Sequence, residues 1–99
     1  MAEHYASGSW RVKEGGEDEF VSRWQDWLGR STADASGFGS AHLLRDADDP
    51  RHFLSFSDWE DEESRERWMQ SAEFADGLAR VRELCDDFVG TQYTQAARV

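Results

Sequence analysis

Two tryptophans, Trp59 and Trp68, stand in the stretch FSDWEDEESRERWMQSAEFADGL, Phe56 to Leu78, where most other side chains are acidic, basic or small. Large rings in such a run do one of two things. They pack the apolar stripe of an amphipathic helix, or they wall a pocket for a flat organic molecule. A pocket of the second kind suits chemistry on an electron-rich ring, provided that a proton acceptor is at hand. His42 is the catalytic candidate for that role. No carboxylate or second histidine stands close to it in sequence, so a hydrogen-bonded sheet histidine is its ordinary reading and a general base its sharper one. His4 and His52 fall at strand ends and are expected to be solvated. The single cysteine, Cys85, excludes an intramolecular disulfide, and no close His/Cys spacing suggests a metal site.

The elements that must position these residues alternate in type. HYASGSWRV, His4 to Val12, contains β-formers and ends at a Gly-Gly turn, which predicts a strand. EDEFVSRWQDWLGR places Phe20, Trp24, Trp27 and Leu28 at helical spacing behind three first-turn acids, which predicts a helix. Phe38 to Asp46 and Arg51 to Trp59 flank DADDP and read as a hairpin. A second helical segment starts near Glu60 and continues to Cys85, with a kink near Gln70 or Ser71 where Ser71 would cap its second piece. Phe88 to Ala96 completes a fourth strand. The order β-α-β-β-α-β predicts an α+β, ferredoxin-like fold: a four-stranded antiparallel sheet with two helices on one face.

Both faces of that sheet carry apolar bulk, because Phe53 opposes Leu54 and Phe56, and Leu43 opposes Leu44. Two helices cover only one face, so a homodimer joined sheet to sheet is expected. With 99 residues the chain reads as one domain, 1–99, whose stability a partner subunit would raise. A net charge of −10 argues against nucleic acid and anionic membrane surfaces as partners. It also counts against a single-stranded RNA binder of the same element order, which would carry aromatics on a basic sheet. No apolar run approaches a membrane span, and the opening MAEHYASGSW lacks a basic and an apolar leader region, so a cytoplasmic location is expected.

Three segments in this order, WRVKEGGEDEF, RDADDPRHFLSFSDWED and RWMQSAEF, make the whole chain resemble the antibiotic biosynthesis monooxygenase (ABM) superfamily of dimeric α/β-barrel proteins. The resemblance implies a ligand pocket between sheet and helices with Trp68 as its wall, joined by Phe74, Leu78, Ser64, Trp24 and Gly8. Trp59, at the strand-to-helix junction, reads instead as a structural plug. Members that degrade haem need an asparagine and a histidine where this chain has Gly8 and Leu78, so haem is not expected and no cofactor is. Members that form quinones grip a phenol with an asparagine and a tyrosine at positions occupied here by Ser64 and Phe74, so the polar grip is weaker or relocated.

The resemblance therefore implies a cofactor-independent monooxygenase acting on a planar phenolic or polycyclic aromatic compound. The alternative is a non-catalytic binding or assembly dimer in which the same rings complete the core. If Trp68 walls a pocket, Trp68→Phe should weaken ligand binding with little change in melting temperature, and Trp59→Phe should do the reverse. Glu73 reads as a first-turn carboxylate or as a residue at the pocket mouth. Arg65 and Arg67 read as surface ion pairs worth ~0.2–1 kcal/mol each.

Overall fold

The structure is a computed structural model that describes residues 3–99; Met1 and Ala2, at the head of the opening stretch, lie outside them. Its elements run β1 (His4–Val12), α1 (Glu17–Thr32), β2 (Phe38–Arg45), β3 (His52–Trp59), α2 (Glu62–Met69), α3 (Ala72–Arg82) and β4 (Cys85–Thr94). The strands pair antiparallel in the order β2-β3-β1-β4, the ferredoxin-like arrangement, with the helices on one face. The fourth strand starts three residues earlier than expected because a bulge opposite Arg11 and Val12 lets Cys85 join the ladder.

Local chemistry explains the helix boundaries. Glu17, Asp18 and Glu19 sit in the first turn of α1, where the helix dipole favours them. Asp61 caps α2 by accepting the Ser64 amide at 2.7 Å. The expected kink is a full break at Gln70 and Ser71, and Ser71 caps α3 by accepting the Phe74 amide at 3.2 Å.

Alternation sorts the sheet into two faces. Ala6, Gly8, Trp10 and Val12 of β1 and Phe53, Ser55, Ser57 and Trp59 of β3 are buried under the helices. The α1 stripe of Phe20, Trp24, Trp27 and Leu28 packs onto them. Trp10 is the hub, with ring centres 5.4 Å from Phe20, 6.1 Å from Trp27 and 4.2 Å from Phe88. Helix α3 approaches α1 at Gly77, where a Cβ would collide with the Trp27 indole.

The opposite face is a grid in register. One row holds Leu44, Leu54, Ser9 and Val89; the next holds His42, Phe56, Ser7 and Thr91. Leu44, Leu54, Val89 and Tyr93 all lie on this face and are 50%, 44%, 54% and 56% exposed. At its rim, His52 Nδ1 meets Asp46 Oδ2 at 2.9 Å and His52 Nε2 meets Ser9 Oγ at 3.2 Å. His52 is thus tied into a side-chain relay rather than left to solvent as its strand-end position suggested.

Arg65 also departs from expectation. Its side chain is 6% exposed and its Nη1 donates to the carbonyls of Tyr5 and Tyr93, each at 3.2 Å, joining α2 to the ends of β1 and β4. Arg67, two positions on, makes the expected exposed pair with Glu63.

Three aspartates anchor turns and hold depressed pKa values: Asp46 through its hydrogen bond with His52, Asp49 through Arg11, and Asp61 through the Ser64 amide. Carboxylates depressed in the folded state contribute stability above their unfolded value, near 3.8, and lose it as pH falls through the lower folded values. Urea midpoints are expected to be level down to about pH 4 and to drop below it. A midpoint that held constant to pH 2.5 would contradict this.

Candidate functional site

The cavity of interest lies between the sheet and the helices, with a volume of about 190 Å³. Its floor is Ala6, Gly8 and Trp10 of β1, Ser55 and Ser57 of β3, and Phe88 and Gly90 of β4. Its walls are Trp24, Trp27 and Leu28 of α1, Trp68 and Met69 of α2, and Phe74 and Leu78 of α3. Gly8 stands opposite Gly90 in register, so two bare peptides face each other across the floor. Gly8 has no room for a side chain, since a Cβ would lie 2.8 Å from Trp10 Nε1 and 2.9 Å from Phe88 Cε1. At the exposed edge, Gln92 Nε2 donates to Met69 Sδ at 3.5 Å and links β4 to the end of α2.

Five expected pocket residues, Trp68, Phe74, Leu78, Trp24 and Gly8, therefore meet around one space. Two expected site residues do not join them. His42 is on the other side of the sheet, exposed and 5.1 Å from the Phe56 ring, because strand alternation gives it the parity of Leu44. Ser64 is buried, but it lies beneath Gly37 and lines a separate groove behind Trp68. Glu73 lines that groove and the one between α1 and α3, and not the cavity.

Trp68 is wall and core at once. It is 5% exposed, its Nε1 donates to Ser31 Oγ at 3.0 Å, and its ring centre lies 4.6 Å from Phe74, 5.0 Å from Trp59 and 6.2 Å from Trp27. With so many neighbours, Trp68→Phe is expected to cost about 1–3 kcal/mol of stability as well as ligand affinity. Trp59 is fully buried and lines no part of the cavity, so Trp59→Phe should act chiefly on the melting temperature and reach affinity for a probe such as 1-naphthol only indirectly, through its bond to Ser57 Oγ. Thermal melts and probe titrations on both variants check this pair.

The polar groups of the cavity were not signalled by aromatic spacing. Ser55 Oγ accepts from Trp10 Nε1 and Ser57 Oγ accepts from Trp59 Nε1, each at 2.9 Å. Trp27 Nε1 donates to the Phe74 carbonyl at 3.1 Å, whereas Trp24 Nε1 is buried without a partner among the described residues. No lining residue is ionisable. Cys85 lies outside the lining, and burial pushes its thiol up to about 11, so it is no nucleophile at neutral pH. Among the described residues no group of three or more His, Cys, Asp or Glu side chains is placed to hold a metal ion, and no helix is long and apolar enough to cross a membrane.

The family model described as antibiotic biosynthesis monooxygenase matches residues 4–80. No curated relative matches the chain. Among solved structures, SnoaB, a cofactor-independent oxygenase from Streptomyces nogalater, superimposes with a TM-score of 0.87 at 20% identity, covering 100% of this chain and 98% of that one. A conserved protein from Methanosarcina mazei Go1 gives 0.83 at 18% identity, covering 96% and 94%. A protein from Shewanella oneidensis gives 0.81 at 18% identity, covering 95% and 91%. At these identities the likeness concerns the fold.

Proposed function

This chain belongs to the antibiotic biosynthesis monooxygenase family, and from that membership we propose that it is a homodimeric, cofactor-independent oxygenase of a small planar phenol. The observation that carries the reading is the aromatic cavity itself, walled by three tryptophans on two helices and floored by the sheet. SnoaB, similar in fold over the whole chain, is described as a cofactor-independent oxygenase.

The chemistry asks little of the protein. A phenol loses its proton, and the anion passes one electron to O₂. The resulting pair couples to form a ring C–O bond, and loss of water from that peroxide leaves a quinone. One O₂ is consumed, one oxygen atom enters the ring and the other leaves as water. Tryptophan walls hold the ring flat, exclude bulk water and keep the radical pair together. With His42 across the sheet, the proton acceptor in this reading is a water molecule at the cavity edge rather than a histidine.

The dimer rests on the exposed face of the sheet. The molecule is a slab with Cα extents of 37 × 34 × 17 Å, and its 6251 Å² of accessible surface exceeds the roughly 5,800 Å² usual for a folded monomer of 11.4 kDa. The uncovered Leu44, Leu54, Val89 and Tyr93 face is where a second copy would bury its own.

Oxygen-electrode traces with hydroxylated naphthalenes test the reading. Expected is protein-dependent O₂ uptake with quinone absorbance appearing in step, unaffected by chelators. Tight binding of such phenols with no uptake above their own autoxidation would instead identify a binding protein.

A further inference from the structure

We propose that the hydroxyls of Ser55 and Ser57 form a pair of hydrogen-bond donors that holds a one- or two-ring phenol by oxygens at opposite ends of its ring system and draws it into the phenolate form. This rests on the pocket reading above and narrows it to a substrate class.

Size sets the first limit. A protein cavity of about 150 Å³ takes up one benzene. A cavity of about 190 Å³ has room for one substituted ring or a fused pair, and a larger polycyclic skeleton would have to protrude at the Gln92 and Met69 edge.

Hydrogen-bond capacity sets the second. Ser55 and Ser57 are 7% and 3% exposed, and each hydroxyl spends an acceptor site on an indole N–H. The proton of each hydroxyl has no acceptor among the described residues, and an N–H donating into a hydroxyl polarises it toward donating onward. Trp24 Nε1 is also unspent, but it is buried against protein and meets a ligand only if the indole shifts. Buried donors without acceptors are costly, so the cavity is complementary to a molecule that brings oxygen acceptors. The same unspent donors disfavour a cation, and no carboxylate lines the space to offset them.

Spacing sets the third. Ser55 and Ser57 are two strand positions apart on one face, a separation of roughly 6.6 Å. Oxygens placed across a ring span that pair; neighbouring oxygens meet only one serine at a time.

The consequence for protonation is a contest between two effects. Burial in an apolar space raises the pKa of a phenol, while one donor at the phenolate oxygen and a second at the oxygen across the ring, onto which a conjugated anion spreads its charge, lower it. The donors prevail here. Because no lining residue is ionisable, the released proton leaves by solvent at the cavity edge, and activity will track the ionisation of the bound phenol rather than that of a protein base.

The test uses 4-nitrophenol, with oxygens at both ends of one ring, and 3-nitrophenol, with them closer together, because both phenolates are coloured. Expected is at least fivefold tighter binding of the 4-isomer and a fall of at least one pH unit in its ionisation on binding, a tenfold gain for the anion. Ser57→Ala should remove most of the fall and of the isomer preference. Each serine change also strips an indole of its acceptor, Trp10 for Ser55→Ala and Trp59 for Ser57→Ala, so the double variants with Trp10→Phe and with Trp59→Phe, which remove both partners, serve with thermal melts to separate binding from folding. An ionisation that moves upward, isomers that bind equally, or serine variants that change neither quantity would overturn the proposal while leaving the pocket reading standing. If neither isomer binds, this inference fails, and O₂ uptake with larger phenols decides the pocket reading separately.

Discussion

Leu54→Asp is expected to turn the proposed dimer into a monomer. Leu54 lies between Leu44 and Ser9 in the central row of the uncovered sheet face. In a sheet-to-sheet dimer both copies of that row are buried, so the variant would place two carboxylates in an apolar interface. Each carries a desolvation penalty of several kcal/mol, enough to weaken association by at least three decades. Sedimentation should show a dimer for the parent at micromolar concentration and a monomer of lower melting temperature for the variant. Asp87, on the same face but in the charged end row with Arg11 and His52, supplies the control, since Asp87→Asn should leave assembly intact. A parent that sediments as a monomer would sink the dimer reading at once.

The second large effect is expected at Arg65. Arg65→Met keeps the buried stem and removes two donors to the Tyr5 and Tyr93 carbonyls. Hydrogen bonds from a charged donor contribute about 1.5–3 kcal/mol each, and shared use of Nη1 makes the pair worth about 3 kcal/mol. For a domain of this size that is a fall of about 10–20 °C in melting temperature. Arg65→Lys should recover less than half, because a single ammonium does not reproduce the planar fork. Arg67→Ala, which removes an exposed i,i+4 pair with Glu63, should cost no more than about 0.5 kcal/mol. Equal melting shifts at positions 65 and 67 would show that the buried clamp contributes nothing special.

The contrast between these two arginines shows where sequence stops informing. The α1 stripe of Phe20, Trp24, Trp27 and Leu28 is legible because sixteen residues contain enough turns to fix which side is apolar. The eight residues of α2 do not, and Arg65 turns inward amid acids that suggest surface. Strand alternation carried more. It places Leu44 and Leu54 on an uncovered face, and applied to His42 it puts the imidazole on the side away from the helices. The same rule puts Ser55 and Ser57 between Phe53 and Trp59 on the core face, two hydroxyls where apolar residues belong. That irregularity is the sequence signal for the polar part of the cavity, although nothing in sequence tells that Trp10 and Trp59 donate to them. The pattern around Trp68 reads as core and only the family resemblance makes it a wall; its bond to Ser31, across the helix layer, has no sequence signal.

The facing glycines in the cavity floor have a dynamic meaning. Cross-strand side-chain pairs contribute roughly 0.2–1 kcal/mol each to a sheet. Between Gly8 and Gly90 there is no pair at all, only bare backbone beneath the Phe88 ring, and β4 is an edge strand. The sheet is therefore weakest between the Phe88–Trp10 contact and the Arg65 clamp on Tyr5 and Tyr93, and amide exchange at Gly90 and Thr91 should outpace that at Ser55 and Phe56 in the interior strand. A flat molecule lying over this stretch would take the place of the missing side chains, so occupancy would be read as slowed exchange in the edge strand, and the breathing of β4 would be the step by which the ring gets in.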